Sequence, residues 1–242
     1  MSAALHPSRM GLEPLPLEEW LKPEPGDAAL LAQRVMLVAM HERDVIAELP
    51  AGEAAVAELA RTLGARGFNL GTGDALPAIA RAVAEDLCIL TREGEDYLLT
   101  AGILCFPNRW KLRKKMGGNV LAVHEPVPDY AGDLAVSVDR FLDRLKPSRA
   151  YMRRNWGLST SNALFLPEPT PPVNPRRDTG FFLRREDQSF LKLPETGAVI
   201  FGIRTTVTPW VEVPADHQGD ILATIGGLSE PWLDYKSLKP DH

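Results

Sequence analysis

Residues 87–106, "LCILTREGEDYLLTAGILCF", decide the fold. Two apolar runs rich in strand-forming residues flank the polar, glycine-containing turn "EGED" at residues 93–96. This pattern predicts a β-hairpin, whose neighbouring strands we place near 87–92 and 97–106. The centre of the chain is therefore expected to contain an antiparallel strand pair.

The hairpin contains both cysteines of the chain, Cys88 and Cys105. Pairing Arg92 with Tyr97 sets the register of its two strands. In that register Cys88 faces Ala101, and Cys105 lies about 13 Å further along at about 3.3 Å per residue. A disulfide tolerates a Cα separation of only about 7 Å. We therefore expect two reduced thiols in the core.

Helical spacing of apolar residues dominates the chain before the hairpin. Three stretches show this spacing: residues 27–43, 52–67 and 74–87. The first starts at an aspartate suited to an N-cap, and the second ends in a glycine. We therefore assign a helical part to about residues 12–87 and a sheet-containing core to about residues 88–228.

Strand-like and helical stretches alternate after the hairpin. Residues 134–147 return to helical spacing, and a last helix is expected near 217–226. Further strands are predicted in three stretches: residues 162–167, 180–186 and 197–210. Residues 167–180 are rich in proline and predict a loop. Together these elements predict one α+β domain over residues 1–242, with an antiparallel sheet and flanking helices.

Composition limits the class of partner. The formal net charge of −5 argues against a nucleic-acid-binding protein, whose affinity comes largely from a basic surface. The N-terminus has no apolar stretch long enough for a signal peptide, and no segment approaches the ~18 apolar residues of a membrane span. We therefore expect a cytoplasmic protein, without membrane contact, whose partners are small molecules and proteins.

Sequence motifs of three familiar chemistries are missing. The glycines of residues 63–73 follow a helix and never form GxGxxG after a strand, which argues against dinucleotide binding. Residues 157–161, "GLSTS", lack the second glycine of a nucleophile elbow. His124 and Glu125 begin like a zinc-protease helix, but Pro126 is incompatible with the interior of such a helix.

His124 ends an apolar run, residues 120–123, that we interpret as a strand. Val120, Ala122 and His124 would then share one face of that strand. A lone histidine in this position is more often a hydrogen-bonded core residue than a metal ligand. A neutral imidazole also suits the coordination of one iron atom. The spacing alone favours the core interpretation.

Charged residues elsewhere have two interpretations. The run "RWKLRKK", residues 109–115, is either a solvated basic loop or a site for an anionic ligand or acidic partner. Polar residues alternate with large apolar groups at six further positions: Arg154, Trp156, Arg184, Glu186, Gln188 and Arg204. Because buried charge is costly unless paired, these residues form either structural ion pairs, such as Arg184 or Arg204 with Glu186, or a pocket.

Taken together, these stretches resemble the family of heme-dependent oxidative N-demethylase α subunits and their relatives. The order and spacing match from roughly Leu12 to the last helix. The matching residues are Phe106-Pro107, Trp110, Lys115, Gly117, His124-x-Pro126-Val127-Pro128, Arg154-Asn155-Trp156, Arg184-x-Glu186-x-Gln188, Leu193-Pro194 and Phe201-x-Ile203-Arg204-Thr205. Several dispersed motifs make the resemblance more specific than any one of them.

The resemblance implies a PAS-like core that carries heme b. It also implies the oxidation of a small methylated amine by O2, which yields the demethylated amine and formaldehyde. Electrons would come from NADPH through a separate flavin and iron–sulfur reductase, since this chain lacks the four cysteines of a usual cluster.

Site residues follow from the same resemblance. His124 would be the axial ligand of the heme iron. Four residues would contact the heme: Lys115, Arg113, Arg154 and Trp156. Three would orient substrate or oxygen: Arg184, Glu186 and Arg204. Asp187 stands where the family pattern usually has arginine, which reverses the charge at that position.

Two other functions are compatible with the sequence. A non-catalytic heme-binding or gas-sensing domain would use the same axial histidine. A cofactor-free interaction protein would keep the fold, with His124 as a hydrogen-bonded core residue. The sequence does not choose among the three functions.

Overall fold

The computed structural model describes residues 11–123, 127–128 and 135–239. Within them, seven strands form one antiparallel sheet in the order β1-β5-β6-β7-β3-β4-β2. Their bounds are β1 (Glu13–Leu15), β2 (Ile46–Glu48), β3 (Asp86–Glu93), β4 (Asp96–Ile103), β5 (Ala150–Ser159), β6 (Phe182–Lys192) and β7 (Val199–Pro209). The α+β class and the antiparallel sheet predicted from the sequence are confirmed.

Helices occur both before and after the hairpin along the chain. They are α1 (Asp27–Val45), α2 (Glu53–Ala65), α3 (Ala75–Ala82), α4 (Val120–Val123), α5 (Ala135–Arg144), α6 (Ala215–Gly226) and α7 (Glu230–Tyr235). No helix in the described part of the chain is both long and apolar enough to span a membrane.

The core lies on both faces of the sheet, because successive side chains of a strand point to opposite faces. Leu87 and Ile89 of β3 pack with apolar residues of α1, α2 and α3. Cys88 and Leu90 belong to a second apolar cluster, which includes Leu142 of α5. The sheet therefore separates a face covered by α1, α2 and α3 from a face on which α5 packs.

The predicted hairpin is confirmed as β3 and β4, and Arg92 faces Tyr97 as expected. A bulge at Thr100 of β4 then shifts the register, so that Cys88 faces Gly102 instead of Ala101. Both cysteines are free and buried, as predicted. Burial raises the pKa of each thiol to about 12, which keeps both in the unreactive protonated form.

The strand predicted for residues 120–123 is wrong, since this run forms the helical turn α4. Asn119 precedes the turn, and its side-chain oxygen accepts a hydrogen bond from the backbone N–H of Ala122 at 2.9 Å. An asparagine N-cap of this kind starts a helix whatever the strand propensity of the valines that follow.

The strand predicted for residues 162–167 is also wrong, because only one isolated bridge, from Leu166 to Asn108, forms there. Two serine hydroxyls bend the preceding chain. Ser159 accepts from the N–H of Ser161, and Ser161 accepts from the N–H of Ala163. Such local turns compete with pairing in a sheet.

Other elements agree more closely with the sequence. Helices α1, α2, α5 and α6 match their predictions to within a few residues, while α3 ends at Ala82 because the chain enters β3 at Asp86. Residues 167–180 contain no helix or strand. The strands on either side of that loop, β5 and β6, pair with each other. Neither β5 nor α7 was predicted.

A buried ion pair ties α1 to the sheet. The guanidinium of Arg34 donates to the carboxylate of Asp86 at 2.6 Å, and the two side chains are 0% and 1% exposed. The same carboxylate accepts the backbone N–H groups of Cys105 and Phe106. Arg34 also donates to the carbonyl of Ala80 at 2.8 Å, which brings α3 into the same contact.

We predict that Asp86→Ala lowers the free energy of unfolding by about 3–5 kcal/mol, because it leaves a buried guanidinium without its carboxylate. Urea unfolding of the two proteins measures the difference. The matched control is Asp143→Ala, which removes an ion pair with Arg92 whose side chains are 47% and 47% exposed. We expect no measurable change in the control. A loss below about 1 kcal/mol in Asp86→Ala would contradict the assignment.

Candidate functional site

A cavity of about 530 Å³ lies on the sheet face opposite α1, α2 and α3. Its size is in the range of pockets that take small molecules and cofactors. Apolar side chains of β3, β4, β7 and α5 form much of its wall, among them Cys88, Leu90, Leu99, Phe141, Phe201 and Ile203. Polar side chains enter from β5, β6, the chain after β4 and the chain after α7.

The alternation of β6 directs Glu186, Gln188 and Phe190 into the cavity. The Glu186 carboxylate is 9% exposed and accepts three side-chain amides. Gln188 donates at 2.9 Å, Asn155 at 3.2 Å and Asn108 at 3.4 Å. A buried negative charge thus has a fixed position in the cavity wall.

Lys236, just after α7, is a buried amine in the same wall. Its Nζ donates to the carbonyl of Trp156 at 2.6 Å and to Oδ1 of Asn155 at 3.4 Å. It also lies 4.6 Å from the centre of the Trp156 ring. The pKa of Lys236 is lowered to about 7, mainly by burial; Glu186 opposes this shift, and Arg109 and Arg153 add to it.

Two residues of the cavity wall have a backbone conformation that is unusual for residues other than glycine. Arg109 has φ 63° and Ser237 has φ 52°, and the guanidinium of Arg109 donates to the Ser237 hydroxyl. Burial lowers the pKa of Arg109. Such conformations cost energy and persist where the surrounding contacts enforce them, so this contact fixes the chain after α7 against the loop after β4.

Three of the residues that sequence reasoning selected line the cavity. Glu186 and Trp156 belong to its buried wall, and half-buried Lys115 lies at a more open part. The Lys115 amine donates to the carbonyl of Ala122 in α4 at 3.1 Å. The structure therefore brings together one acid, one aromatic ring and one base of the predicted set.

Arg184 has a different position from the one expected of a substrate-binding residue. It is 1% exposed, and its guanidinium donates to the carbonyls of Phe106 at 2.6 Å and Leu164 at 3.1 Å. Burial lowers the pKa of this guanidinium. Arg184 thus holds two loops beside the cavity and does not line it.

Arg204 and Arg154 lie on the other face of the sheet. Arg204 binds Glu85 at 2.8 Å and also Asp27 at the start of α1. Burial lowers the pKa of Arg204, but Glu85 and Asp27 outweigh that effect and raise it above the ordinary value. Arg154 pairs with Asp187 at 3.5 Å. Asp187 therefore has an ion-pairing role on the face away from the cavity.

Two predicted residues remain, and only one of them, Arg113, lies in the described part of the chain, where it does not line the cavity. The guanidinium of Arg113 is exposed and donates to the carbonyl of Arg43 near the end of α1. His124 lies outside the described residues. Val120, four residues before it, and Val127, three residues after it, both line the cavity.

Sequence reasoning missed Lys236 and the role of Asn155. A helix signal was available for Lys236, because Ser229 precedes a first turn that contains a proline. In such a helix Trp232 and Lys236 are four residues apart and share a face. Both residues line the cavity. The burial of Lys236 depends on β5, so the helix pattern alone could not predict it.

No group of three histidine, cysteine, aspartate or glutamate side chains that could hold a metal ion occurs among residues 11–123, 127–128 and 135–239. An iron-containing cofactor would therefore not rely on a multi-carboxylate or multi-cysteine cluster in this part of the chain.

Comparison with protein families gives one match. The family model described as "Haem-dependent oxidative N-demethylase, alpha subunit-like" matches residues 63–241. The match covers about three quarters of the 242-residue chain. Every described residue that lines the cavity falls within this match.

We predict that the free energy of unfolding rises with pH above about 7, because the folded pKa of Lys236 is about 7 while an ordinary lysine has 10.5. Between these values the unfolded chain binds one proton more than the folded chain, so raising the pH favours the folded state. Lys236→Met should remove up to about 1.4 kcal/mol per pH unit of this slope. Urea unfolding at pH 7, 8 and 9 measures it. Equal slopes in the two proteins would contradict the prediction.

Proposed function

The chain belongs to the haem-dependent oxidative N-demethylase, alpha subunit-like family, and on that premise we propose that it binds heme b in the cavity and oxidises a small methylated amine with O2. The products would be the demethylated amine and formaldehyde. A separate flavin and iron–sulfur reductase would supply the electrons. The observation that carries the proposal is that the family match, over residues 63–241, contains the entire described lining of the cavity.

A PAS-like core is part of this proposal. Its support is the block of five neighbouring strands from β3 to β7, which lie in the order β4-β3-β7-β6-β5. The first two are joined by a hairpin, and β6 pairs with β7 over eleven residues. The short strands β1 and β2 then extend the two edges of this five-stranded unit.

The chemistry of the cavity wall fits a heme. A heme has a flat apolar ring and two anionic propionates, and the wall combines apolar and aromatic side chains with basic ones. Its described charged residues are one acid, Glu186, and four bases: Arg109, Lys115, Arg153 and Lys236. Arg109, Arg153 and Lys115 would hold the propionates by charge-assisted hydrogen bonds. Trp156 and Phe201 would contact the ring.

His124 is the residue that we propose would hold the heme iron, through an imidazole nitrogen. The proposal rests on the family resemblance and on the position of Val120 and Val127, which line the cavity on both sides of His124 along the chain. Heme bound in this way supplies an iron atom that binds and activates O2. The protein contributes the ligand, the apolar walls that exclude water and the polar groups that orient the substrate.

Glu186 is the proposed contact for the amine. A small methylated amine is a cation at neutral pH, and the carboxylate of Glu186 is the one acidic group among the described lining residues. Asn155 and Gln188 fix the carboxylate by donating to it, so the acid does not need to move to meet the cation. The neighbouring Trp156 ring offers a face that attracts a methylated ammonium group.

We predict that protein expressed with adequate heme supply shows a Soret band and that His124→Ala lowers the heme occupancy or shifts the band. The matched control is His217→Ala, which changes an exposed histidine of α6 and should leave the spectrum unchanged. Circular dichroism checks that each variant is folded. An unchanged band in His124→Ala would refute the ligand assignment.

A wild-type protein that stays colourless under every loading condition would refute the proposed function as a whole. Heme binding without any demethylation, in the presence of O2 and an electron source, would instead favour the heme-binding or gas-sensing alternative. Folded protein that fails to take up hemin would favour the cofactor-free interaction protein.

We predict that Glu186→Gln weakens the binding of small methylated amines about tenfold or more, because it removes a charge-assisted contact worth about 1.5–3 kcal/mol. Calorimetric titration with a series of methylated amines measures the dissociation constants. The matched control is Asp187→Asn, which makes the same change one residue away on the opposite face of β6. Equal weakening in both variants would argue against a specific role for Glu186.

A further inference from the structure

Lys236 is a buried amine that the proposed oxidation does not use. It is 3% exposed, yet it lines the cavity of about 530 Å³. Its neighbours in the wall come from several elements. Asn155 and Trp156 lie on β5, Glu186 lies on β6, and Arg109 follows β4. The question is what chemistry an amine has in this position.

The hydrogen bonds of Lys236 suit an uncharged amine. An ammonium group has three hydrogens to donate, whereas a neutral amine has two and keeps a lone pair. The described residues offer Nζ two acceptors, the Trp156 carbonyl at 2.6 Å and Asn155 Oδ1 at 3.4 Å. A neutral amine satisfies both acceptors and retains the lone pair of a nucleophile.

The charged groups around Lys236 shift its pKa in opposite directions. Burial lowers the pKa of Lys236 most, and Arg109 and Arg153 add to this effect. Glu186 favours the ammonium, and so does the Trp156 ring, whose centre is 4.6 Å from Nζ. Tyr235, the preceding residue, lines the same cavity. The balance leaves both protonation states populated near neutral pH.

We propose that Lys236 captures a small aldehyde in the cavity as a reversible Schiff base. A lysine in a largely apolar, water-poor site is the usual setting for this chemistry. The inference deepens the proposed function and rests on it for the identity of the aldehyde, because formaldehyde would be released in this same cavity. Lys236 would then hold a reactive product until it leaves the protein.

The reaction balances without an oxidant or a reductant. The Nζ lone pair forms a bond to the carbonyl carbon, the carbon–oxygen double bond becomes single, and one amine hydrogen passes to the oxygen to give a carbinolamine. The remaining carbon–oxygen bond then breaks, and the oxygen leaves as one water molecule with that hydrogen and the second amine hydrogen. The product is an imine between Nζ and the aldehyde carbon. Addition of water returns the free amine and the aldehyde.

Reductive trapping tests the proposal. The purified full-length protein is incubated with dilute formaldehyde and a borohydride reagent, which converts the imine to a methylated lysine, and peptide mass mapping locates the label. The matched comparison is Lys115, a half-exposed lysine of the same cavity. We expect labelling of Lys236 at pH 7 to be at least about tenfold faster than labelling of Lys115, because burial keeps a large share of Lys236 uncharged at that pH.

The pH dependence gives a second readout. Labelling of Lys236 should fall as the pH is lowered through about 7, where the amine becomes protonated. Because the map reads each lysine separately, wild-type protein is sufficient even if Lys236→Met fails to fold. The proposal would be overturned if solvent-exposed lysines were labelled while Lys236 stayed unmodified, because labelling would then depend on solvent exposure alone.

The result of the trapping experiment can be distinguished from the result of testing the proposed function. Trapping needs neither an electron donor nor turnover, so it can be measured on protein with or without heme. Heme binding and demethylation with no label on Lys236 would remove this inference alone. Rapid labelling of Lys236 in a protein that binds no heme would support aldehyde capture and remove the N-demethylase proposal.

Discussion

One buried carboxylate, that of Asp86, connects the layers of the molecule. It accepts a hydrogen bond from Arg34 of α1 at 2.6 Å and from the backbone N–H groups of Cys105 and Phe106 at 2.7 and 2.8 Å. The carbonyl of Phe106 in turn accepts from Arg184 of β6 at 2.6 Å. The helical layer, the chain leaving β4 and the strand at the cavity are thus held by one continuous set of buried contacts. Because each buried charge is paired or hydrogen-bonded, loss of any member leaves another unsatisfied.

The sheet divides the polar residues of β6 into two groups with separate tasks. On the cavity face, Glu186 is held by Gln188, while Arg184 supports the adjoining loops. On the other face, Asp187 pairs with Arg154 and Arg185. The motif Arg184-x-Glu186-x-Gln188 therefore combines one structural base, one acid that faces the cavity and one amide that positions the acid. The reversed charge at Asp187 lies away from the cavity, where an arginine partner balances it.

Hydrophobic periodicity predicted the elements in which buried and exposed side chains alternate at a regular spacing. The hairpin at β3 and β4, the helices α1 and α2, and the strand β7 were predicted correctly because their apolar residues repeat at strand or helix spacing. For β6 only the first half was predicted, since the strand continues to Lys192. The failures arose where one polar side chain decides the backbone. Asn119 starts a helical turn in an apolar run, and the hydroxyl of Ser161 bends a stretch that resembles a strand. Local hydrogen bonds of this kind have little effect on hydrophobic periodicity.

The candidate site was predictable only in part, because residue type does not reveal which face of the sheet a side chain occupies or what it meets there. Glu186 and Trp156 were selected with Arg184 and Arg204, yet only the first two line the cavity. The sequence gives no reason to connect Lys236 with β5, more than 70 residues earlier in the chain. That contact needs the fold to bring the chain after α7 onto the sheet.

The link between Lys236 and Glu186 bears on the cationic substrate proposed above. A direct ion pair would neutralise both groups and leave neither for a ligand. Here the side chain of Asn155 lies between them, accepting from Nζ at 3.4 Å and donating to the carboxylate at 3.2 Å. The amide satisfies each group in part without cancelling its charge. The carboxylate remains able to bind an ammonium ion, and a cation bound there would further disfavour a proton on Lys236, since like charges repel across a medium of low polarity.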